Sequence, residues 1–209
     1  MILIDLYTWA TPNGRKVSIM LEELNVEYQT ISINIGKDEQ FSKKFLSISP
    51  NNKIPAIVDH DTNNKSPLKL FESGAILIYL AEKFEKFLPT SGPERFKTMQ
   101  WLMFQMGGAG PIFGQVHHFL RAASEPVPYA INRYKTETER LYRVLDNRLA
   151  ESEFLTKEYS IADIATFPWI ARHEWHEIEL SAYPNVSRWF STVGSRDTVK
   201  KGMAVPFLN

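Results

Sequence analysis

The sequence predicts an α+β protein in which a small mixed-sheet domain precedes an all-helical domain. Strand-like and helix-like segments alternate along the first part of the chain, and the remainder shows no strand alternation. A short stretch rich in Pro, Gly and Ser separates the two parts. We therefore expect a first domain at 1–88, a linker at 89–92 and a helical second domain at 93–209.

The first domain is predicted to have the element order βαβαββα. Alternating or β-branched residues indicate strands at 2–7, 28–35, 54–59 and 68–71, and a polar turn at 61–66 joins the last two. Helices are expected at 16–24, 38–46 and 72–84. The first helix repeats apolar residues at spacings of three and four, which places them on one face. A βαβ unit followed by a hairpin and a covering helix forms a mixed sheet.

The second domain is predicted to contain four helical segments, at 94–120, 128–151, 160–178 and 186–193. The glycine-rich stretch 107–110 lies inside the first of them, where it would permit a kink or a close helix approach. Ser160 and Asp163 have the spacing of a capping box, so we interpret them as the start of a core helix.

The composition excludes several classes of protein. The chain is 44% hydrophobic and 12% aromatic, which argues against full-length disorder. Its 24 Lys and Arg residues balance 24 Asp and Glu residues, whereas a nucleic-acid partner usually requires a basic face. The apolar runs are too short to span a bilayer, and the N-terminal residues do not have the pattern of a signal peptide. We therefore expect a cytoplasmic protein without nucleic-acid or membrane partners.

The chain contains no cysteine. It therefore has no disulfide framework, no thiolate metal ligand and no cysteine nucleophile. If the protein performs thiol or disulfide chemistry, the sulfur must come from another molecule.

A Thr-Pro-Asn-Gly loop at 11–14 joins the first strand to the first helix. Ligands of open α/β sheets bind at the carboxyl ends of strands, where this loop lies. Thr11 and Asn13 would be donors at a helix N-terminus, an arrangement that favours an anion such as a thiolate. Taken alone, the loop is explained more simply by N-capping.

A second motif, Asn-Lys-Ile-Pro-Ala at 52–56, places a proline at the start of a strand. Because most X-Pro bonds are trans, the residues alone favour an ordinary trans edge proline at Pro55. A cis bond would instead turn the Ile54 backbone outward, where it could pair with an extended, peptide-like ligand.

A third motif, Glu72-Ser73, opens the third predicted helix. Free amides and the helix dipole attract a carboxylate, and the Glu72 side chain attracts an ammonium group. Together they suit the zwitterionic end of an amino acid. A simple helix cap is the alternative explanation.

In combination these motifs resemble the cytosolic glutathione transferase family, over essentially the whole chain. The matching segments are Thr-Pro-Asn-Gly at 11–14, Ser-Pro-Asn-Asn-Lys-Ile-Pro-Ala-Ile at 49–57 and Leu-Phe-Glu-Ser-Gly-Ala-Ile at 70–76. Within the family they are similar to the Nu class and to the related fungal nitrogen-regulator proteins, as are segments 107–111, 117–119 and 128–134. The resemblance implies a thioredoxin-like N-terminal domain, an all-helical C-terminal domain and a homodimer, to which Met99, Trp101 and Phe104 could contribute.

The resemblance also implies glutathione as cosubstrate, and it implies roles for ten residues. Thr11 and Asn13 would face the sulfur as the catalytic residues. The implied glutathione-binding residues are Gln40, Asn52, Lys53, Ile54, Pro55, Glu72, Ser73 and Arg133. In this scheme the Glu-Ser pair holds the γ-glutamyl end and the Ile54 backbone, made accessible by a cis proline, pairs with the cysteinyl unit. Lys53 and Gln40 address the glycine carboxylate, and Arg133 reaches toward the ligand from the second domain.

The reaction follows from thiol chemistry. Donors at a helix N-terminus favour the thiolate, which can attack either an electrophilic carbon or a disulfide sulfur. Thiol–disulfide exchange needs a second thiol, and the chain has none. The resemblance therefore implies reduction of small disulfides with two glutathiones, with possible conjugation or peroxidase side activity. The partner is then a small-molecule electrophile or disulfide. The alternative is a non-catalytic regulatory or assembly protein on the same fold.

Two histidine pairs do not predict a metal site. His117 and His118 are adjacent and would point apart on a helix, and His173 and His176 lack an evident third ligand. We expect no bound metal. Ordinary packing is the favoured explanation for these side chains, and a position in the substrate cleft is the alternative for the first pair.

Overall fold

A computed structural model describes residues 3–62 and 66–207. Residue 2 of the first predicted strand and residues 63–65 of the predicted polar turn lie outside this range. The chain divides into two compact units, one formed by 1–86 together with 196–209 and the other by 87–195. Within the described residues, no helix is long and apolar enough to cross a membrane.

The first unit is built on a four-stranded mixed sheet with the order β2-β1-β3-β4. The strands are β1 (Ile4–Thr8), β2 (Tyr28–Ser32), β3 (Ala56–Asp59) and β4 (Leu68–Phe71). β1 and β2 are parallel, whereas β3 is antiparallel to both β1 and β4. The predicted βαβ unit followed by a hairpin is therefore confirmed.

Four helices belong to this unit: α1 (Pro12–Leu24), α2 (Lys43–Leu46), α3 (Ser73–Phe84) and α9 (Asp197–Met203). α1 begins four residues before the predicted start, because Thr11 caps it and Pro12 is favourable in a first turn. α9 was not among the predicted elements. It packs on α1, where the Ser18 hydroxyl donates to the Gly202 carbonyl at 2.7 Å.

Several predicted elements in this unit have different bounds. The third strand begins at Ala56 rather than residue 54. The second strand ends at Ser32 rather than residue 35, and a short 3₁₀ helix, Ile35–Lys37, follows it. The helix expected at 38–46 is split into a 3₁₀ turn, Glu39–Phe41, and the short α2. Ser42 causes the break, because its extended backbone ends the first turn and its hydroxyl caps α2 by accepting from the Phe45 amide.

The regular secondary structure of the second unit is helical in all its described residues, as predicted. It contains α4 (Gly92–Phe104), α5 (Gly110–Arg121), α6 (Pro128–Ala150), α7 (Ile161–Ile170) and α8 (Pro184–Ser195). A five-residue π-helical segment, Gln105–Ala109, joins α4 to α5 at the glycine-rich stretch. Such segments mark irregularities inside helices, whereas the sequence predicts a kink or a close helix approach for this stretch.

The capping box at the start of α7 is also confirmed. The Ser160 hydroxyl accepts from the Ala162 amide, and the Ser160 amide donates to Asp163 at 3.0 Å. The helix itself is shorter than predicted. It ends at Ile170, and a separate 3₁₀ helix follows at His173–His176.

Candidate functional site

The three predicted motifs of the first unit meet at one end of its sheet. Tyr7 on β1 pairs with Ala56 on β3, and Ala56 pairs with Phe71 on β4. Since antiparallel neighbours run in opposite directions, this register places the end of β1, the start of β3 and the end of β4 side by side. The Thr-Pro-Asn-Gly loop, Pro55 and the Glu-Ser pair adjoin these three strand ends in the chain.

Thr11 is the N-cap of α1, and its hydroxyl oxygen accepts from the Gly14 amide at 3.2 Å. The N-capping explanation is therefore correct for this side chain. It does not compete with a second task, because a hydroxyl that accepts through its oxygen still has one hydrogen to donate. Asn13 lies in the first turn of the same helix and is half-buried.

Gly14 allows the first turn of α1 to lie against the end of β1. A Cβ atom at this position would lie 2.4 Å from the Thr8 hydroxyl and 2.4 Å from the Trp9 carbonyl oxygen. The Trp9 oxygen belongs to the backbone, so it could not move away cheaply. The glycine of the motif therefore fixes where Thr11 and Asn13 stand relative to the sheet.

The Ile54-Pro55 peptide bond is cis. The expectation from the residues alone, a trans edge proline, is wrong, and the conformation implied by the family resemblance is confirmed. Pro55 is buried, and Ile54 packs against the apolar cluster beneath the sheet. β3 begins at Ala56, so the Ile54 backbone lies outside the strand ladder. The Ser49 hydroxyl donates to the Lys53 carbonyl at 2.8 Å and supports the turn before the cis bond.

Glu72 occupies the N-cap position of α3, but its side chain makes no capping hydrogen bond. Its backbone has φ 68° and ψ 109°, a conformation that non-glycine residues rarely adopt. Such strain costs about 1–3 kcal/mol and persists where the surrounding structure holds it. The Glu72 side chain is exposed and Ser73 beside it is buried. The helix-cap explanation therefore does not account for the Glu72 carboxylate.

Lys16 of α1 contacts the start of α3, and it is not among the site residues predicted from the sequence. Its side chain is 1% exposed, and Nζ donates to the Ser73 hydroxyl oxygen at 3.4 Å. Burial lowers the pKa of Lys16 to about 7, and the negative charge of Glu72 opposes that shift. The signal in the sequence is its spacing of four from Met20, which puts a lysine on the apolar face of α1.

Three further predicted residues are carried by two loops of the same unit. Gln40 lies on the 3₁₀ turn before α2, and its Nε2 donates to Asp38 at 3.4 Å. Its carbonyl oxygen Oε1 is buried and finds no hydrogen-bond partner within 3–62 or 66–207. Asn52, with φ 49°, and the exposed Lys53 belong to the turn that leads into the cis bond.

Arg133 lies on α6, in the second unit, whereas the other nine predicted residues lie in the first. It is exposed and lines a cavity of about 590 Å³. The remaining lining residues are Ile112, Tyr129, Asn132, Tyr134, Thr136 and Glu137.

The histidines of the second unit take part in packing. The His117 ring lies edge-on to Trp175 with centroids 4.6 Å apart, and burial, Arg172 and Arg121 lower its pKa. His176 is buried, and its Nδ1 lies 3.3 Å from the Tyr142 hydroxyl. In the part of the chain that the structure describes, no three His, Cys, Asp or Glu side chains are grouped as metal ligands.

Comparison with known proteins assigns both units to one family. The glutathione S-transferase N-terminal domain matches residues 4–82, and the glutathione S-transferase C-terminal domain matches residues 116–197. The disulfide-bond oxidoreductase YfcG of Escherichia coli is 53% identical over 93% of this chain and 91% of its own length.

Solved structures support the same assignment. A glutathione transferase family member from Pseudomonas fluorescens with two glutathione bound has a TM-score of 0.93 at 44% identity, covering 98% of this chain and 93% of its own. Ure2p in complex with glutathione has a TM-score of 0.90 at 31% identity, covering 96% of this chain and 98% of its own. The predicted resemblance is confirmed, and the chain belongs to the glutathione S-transferase family, with a thioredoxin-like N-terminal domain and an all-helical C-terminal domain.

Proposed function

We propose that this protein reduces small disulfides with two molecules of glutathione. The observation that carries the proposal is the meeting of a hydroxyl-bearing helix cap, a cis-proline turn and a strained Glu-Ser pair at one sheet end, in a chain without cysteine. The disulfide-bond oxidoreductase YfcG and the Pseudomonas fluorescens relative with two bound glutathiones support it.

The γ-glutamyl end of glutathione is assigned to the start of α3. The exposed Glu72 carboxylate would attract the α-ammonium group, while the Ser73 hydroxyl and the first amides of α3 would bind the α-carboxylate. The Ile54 backbone lies outside the ladder beside the buried Pro55, and would pair with the cysteinyl unit.

The glycine end is assigned to the two neighbouring loops. The Lys53 ammonium is exposed and would pair with the glycine carboxylate, with Asn52 on the same turn. The Gln40 side chain would join them from the turn before α2.

The chemistry is a pair of thiol–disulfide exchanges. Thr11 and Asn13, at the N-terminus of α1, would stabilise the glutathione thiolate by donating to its sulfur. This thiolate attacks one sulfur of the substrate disulfide, the S–S bond breaks, and the departing thiolate takes up a proton. A second glutathione thiolate then attacks the glutathione sulfur of the mixed disulfide, which releases glutathione disulfide and the second substrate thiol.

We also propose a homodimer. On the side of α4, Phe96 is 72% exposed and Met103 is 49% exposed, and their spacing of seven residues places them on one face two turns apart. A second copy of the chain would cover such a face. Light scattering at micromolar concentration should give twice the chain mass of 24.1 kDa. A monomer there would contradict the assignment.

Two measurements on the purified protein test the proposed function. Calorimetry should detect glutathione binding, and a coupled assay should show faster turnover with 2-hydroxyethyl disulfide than with 1-chloro-2,4-dinitrobenzene. Glu72→Gln should weaken glutathione binding about 10-fold or more, because it removes the charge that faces the ammonium group. An affinity unchanged in this variant would contradict the placement of the γ-glutamyl end. Absence of both binding and turnover in the wild type would instead favour a non-catalytic regulatory or assembly protein.

A further inference from the structure

A buried ammonium group lies at the proposed glutathione site and has no task in the scheme above. The Lys16 side chain is 1% exposed and lies on the apolar face of α1. Taking a lysine ammonium out of water is costly unless nearby groups stabilise the charge. Its position therefore calls for an explanation.

The contact with Ser73 has a fixed direction when the lysine is charged. An ammonium group has three donors and no acceptor, so in the 3.4 Å contact Nζ donates and the Ser73 oxygen accepts. The Ser73 hydrogen must then point away from Lys16. Ser73 is the first residue of α3, where the ligand carboxylate is assigned, so its hydroxyl group lies at that end of the proposed site.

The charge of Lys16 would also respond to a bound ligand. Glu72 favours the charged form of Lys16, yet burial outweighs it and brings the pKa of Lys16 down to about 7. The arrival of an anion beside Ser73 would favour the ammonium further. The α-carboxylate of a γ-glutamyl group is such an anion.

We propose that Lys16 is a positioning residue for the α-carboxylate of the γ-glutamyl unit. Its ammonium holds the Ser73 hydroxyl with the hydrogen toward the ligand, and places a positive charge behind the bound carboxylate. This inference rests on the proposed binding of glutathione. It adds a residue of α1 to a subsite otherwise assigned to α3 alone.

A purely structural lysine, which only ties α1 to α3, predicts different behaviour. Its removal would destabilise the unit and weaken every ligand alike. A positioning residue acts through the carboxylate, so its removal should affect only ligands that carry that group. A thermodynamic cycle that changes both the Lys16 side chain and the ligand carboxylate distinguishes the two explanations.

The test uses Lys16→Met, which keeps the length and apolar stem of the side chain without its charge. Its ligands are glutathione and the analogue in which 4-aminobutyrate replaces the γ-glutamyl residue, which retains the amine and lacks the α-carboxylate. The variant should raise the Kd of glutathione about 10-fold or more and change the Kd of the analogue less than about 2-fold, since charge-assisted hydrogen bonds are the strong ones. Equal changes for both ligands, or no change for either, would overturn the proposal.

The control is Lys86→Met, which removes the same charge from an exposed site beyond the far end of α3. Thirteen residues separate it from Ser73, roughly 20 Å at 1.5 Å per residue, so both Kd values should stay within 2-fold of wild type. Lys16→Gln provides a second variant if Lys16→Met does not fold, because it retains a donor and lacks the charge. It should show the same dependence on the ligand carboxylate.

Steady-state kinetics give an independent measurement. A positioning role in binding predicts a raised KM for glutathione with kcat unchanged at saturation. If wild-type protein binds no glutathione, the proposed function fails. If the wild type binds and the Lys16 variants bind both ligands equally well, only the role of Lys16 fails.

Discussion

At the scale of the residue, Thr11 combines two tasks that are usually assigned separately. Its hydroxyl oxygen accepts from the Gly14 amide and so caps α1, while the hydroxyl hydrogen remains available to donate. A helix cap in this position is therefore also a preorganised donor, since the capping bond fixes the side-chain rotamer before a thiolate arrives. The same contact serves the stability of α1 and the proposed chemistry.

Thr11→Ala should lower disulfide turnover more than it lowers glutathione affinity. Loss of one preorganised donor to a developing anion reduces kcat about 10-fold or more. Binding is assigned mainly to Glu72 and Ser73 in the proposed function, so the Kd should change less than about 3-fold. Loss of the cap should also cost about 1 kcal/mol of stability. Thr11→Ser keeps both the oxygen and the hydrogen and should restore kcat in the same assay. Equal losses in kcat and affinity would contradict this division of roles.

At the scale of the element, α7 is held by a single buried carboxylate. Asp163 accepts from the Leu155 amide and the Trp189 indole through one oxygen, each at 2.9 Å. Its other oxygen accepts from the amide and the hydroxyl of Ser160 at 3.0 and 3.1 Å. Burial raises the pKa of Asp163 to about 6, and these four hydrogen bonds oppose the shift. One side chain thus joins the start of α7 to α8 and to the segment before α7.

Asp163→Asn should destabilise the second unit by about 2–3 kcal/mol. The asparagine amide has almost the shape of the carboxylate, but its NH₂ group would face the Ser160 amide. Both the NH₂ group and the Ser160 N–H are donors, so the two would be left without an acceptor. Urea unfolding followed by tryptophan fluorescence measures the change. Ser160→Ala is the matched control, since it removes the cap and the hydroxyl donor to Asp163 but leaves the carboxylate in place, and it should cost about 1 kcal/mol. A loss in Asp163→Asn no larger than in the control would contradict this account.

At the scale of the whole molecule, local patterns predict the elements and long-range packing decides several of their details. A strand is predicted at residues 68–71, and β4 has those bounds. The Ile54-Pro55 bond is cis although most X-Pro bonds are trans, because the surrounding fold sets that bond. Lys16 is not predicted because lysines are normally solvent-exposed, although its spacing from Met20 places it on the apolar face of α1, where it is buried. The end of β2 and the break before α2 depend on local caps and turns that apolar periodicity does not report.

The buried His176 should make the second unit sensitive to acid. Burial, together with the positive charges of His117, His173, Arg172 and Arg121, lowers the pKa of His176 to about 3. An unfolded histidine takes up a proton below about pH 6.5, whereas the folded one stays neutral. The buried, neutral His176 therefore costs no stability above pH 6.5. Below that pH the free energy of unfolding falls progressively toward pH 3, and the loss is about 2 kcal/mol at pH 5.

Denaturant unfolding at pH 5, 6, 7 and 8 measures this slope. His176→Phe removes the titrating ring and should flatten the change between pH 6.5 and 5, even if the variant is less stable at pH 8. Tyr142→Phe removes the hydroxyl beside His176 and leaves the ring buried, so the slope should persist. A wild-type slope that His176→Phe leaves intact would mean that other groups cause it.

α9 shows how a segment at the end of the chain completes the first unit. It carries few apolar residues, so apolar periodicity does not predict it. Its position depends on one close approach of its backbone to α1. A Cβ atom at Gly202 would lie 2.5 Å from the Ile19 Cα and 2.6 Å from the Ile19 nitrogen, both backbone atoms of α1. The Arg196 guanidinium also pairs with both oxygens of Glu23 on α1, at 2.7 and 2.8 Å.

Gly202→Ala should therefore destabilise the first unit by about 2–3 kcal/mol, because the methyl group forces α9 away from α1 and the rigid backbone of a helix cannot yield locally. Gly107→Ala is the matched control. Gly107 lies in a helical segment with no atom within 4 Å of the added Cβ, so the substitution should be neutral or stabilise by about 0.5–1 kcal/mol. Thermal unfolding of both variants measures the difference. If Gly202→Ala unfolds at the wild-type temperature, α9 does not rest on the close approach to Ile19, and its attachment to α1 depends instead on the Arg196–Glu23 pair.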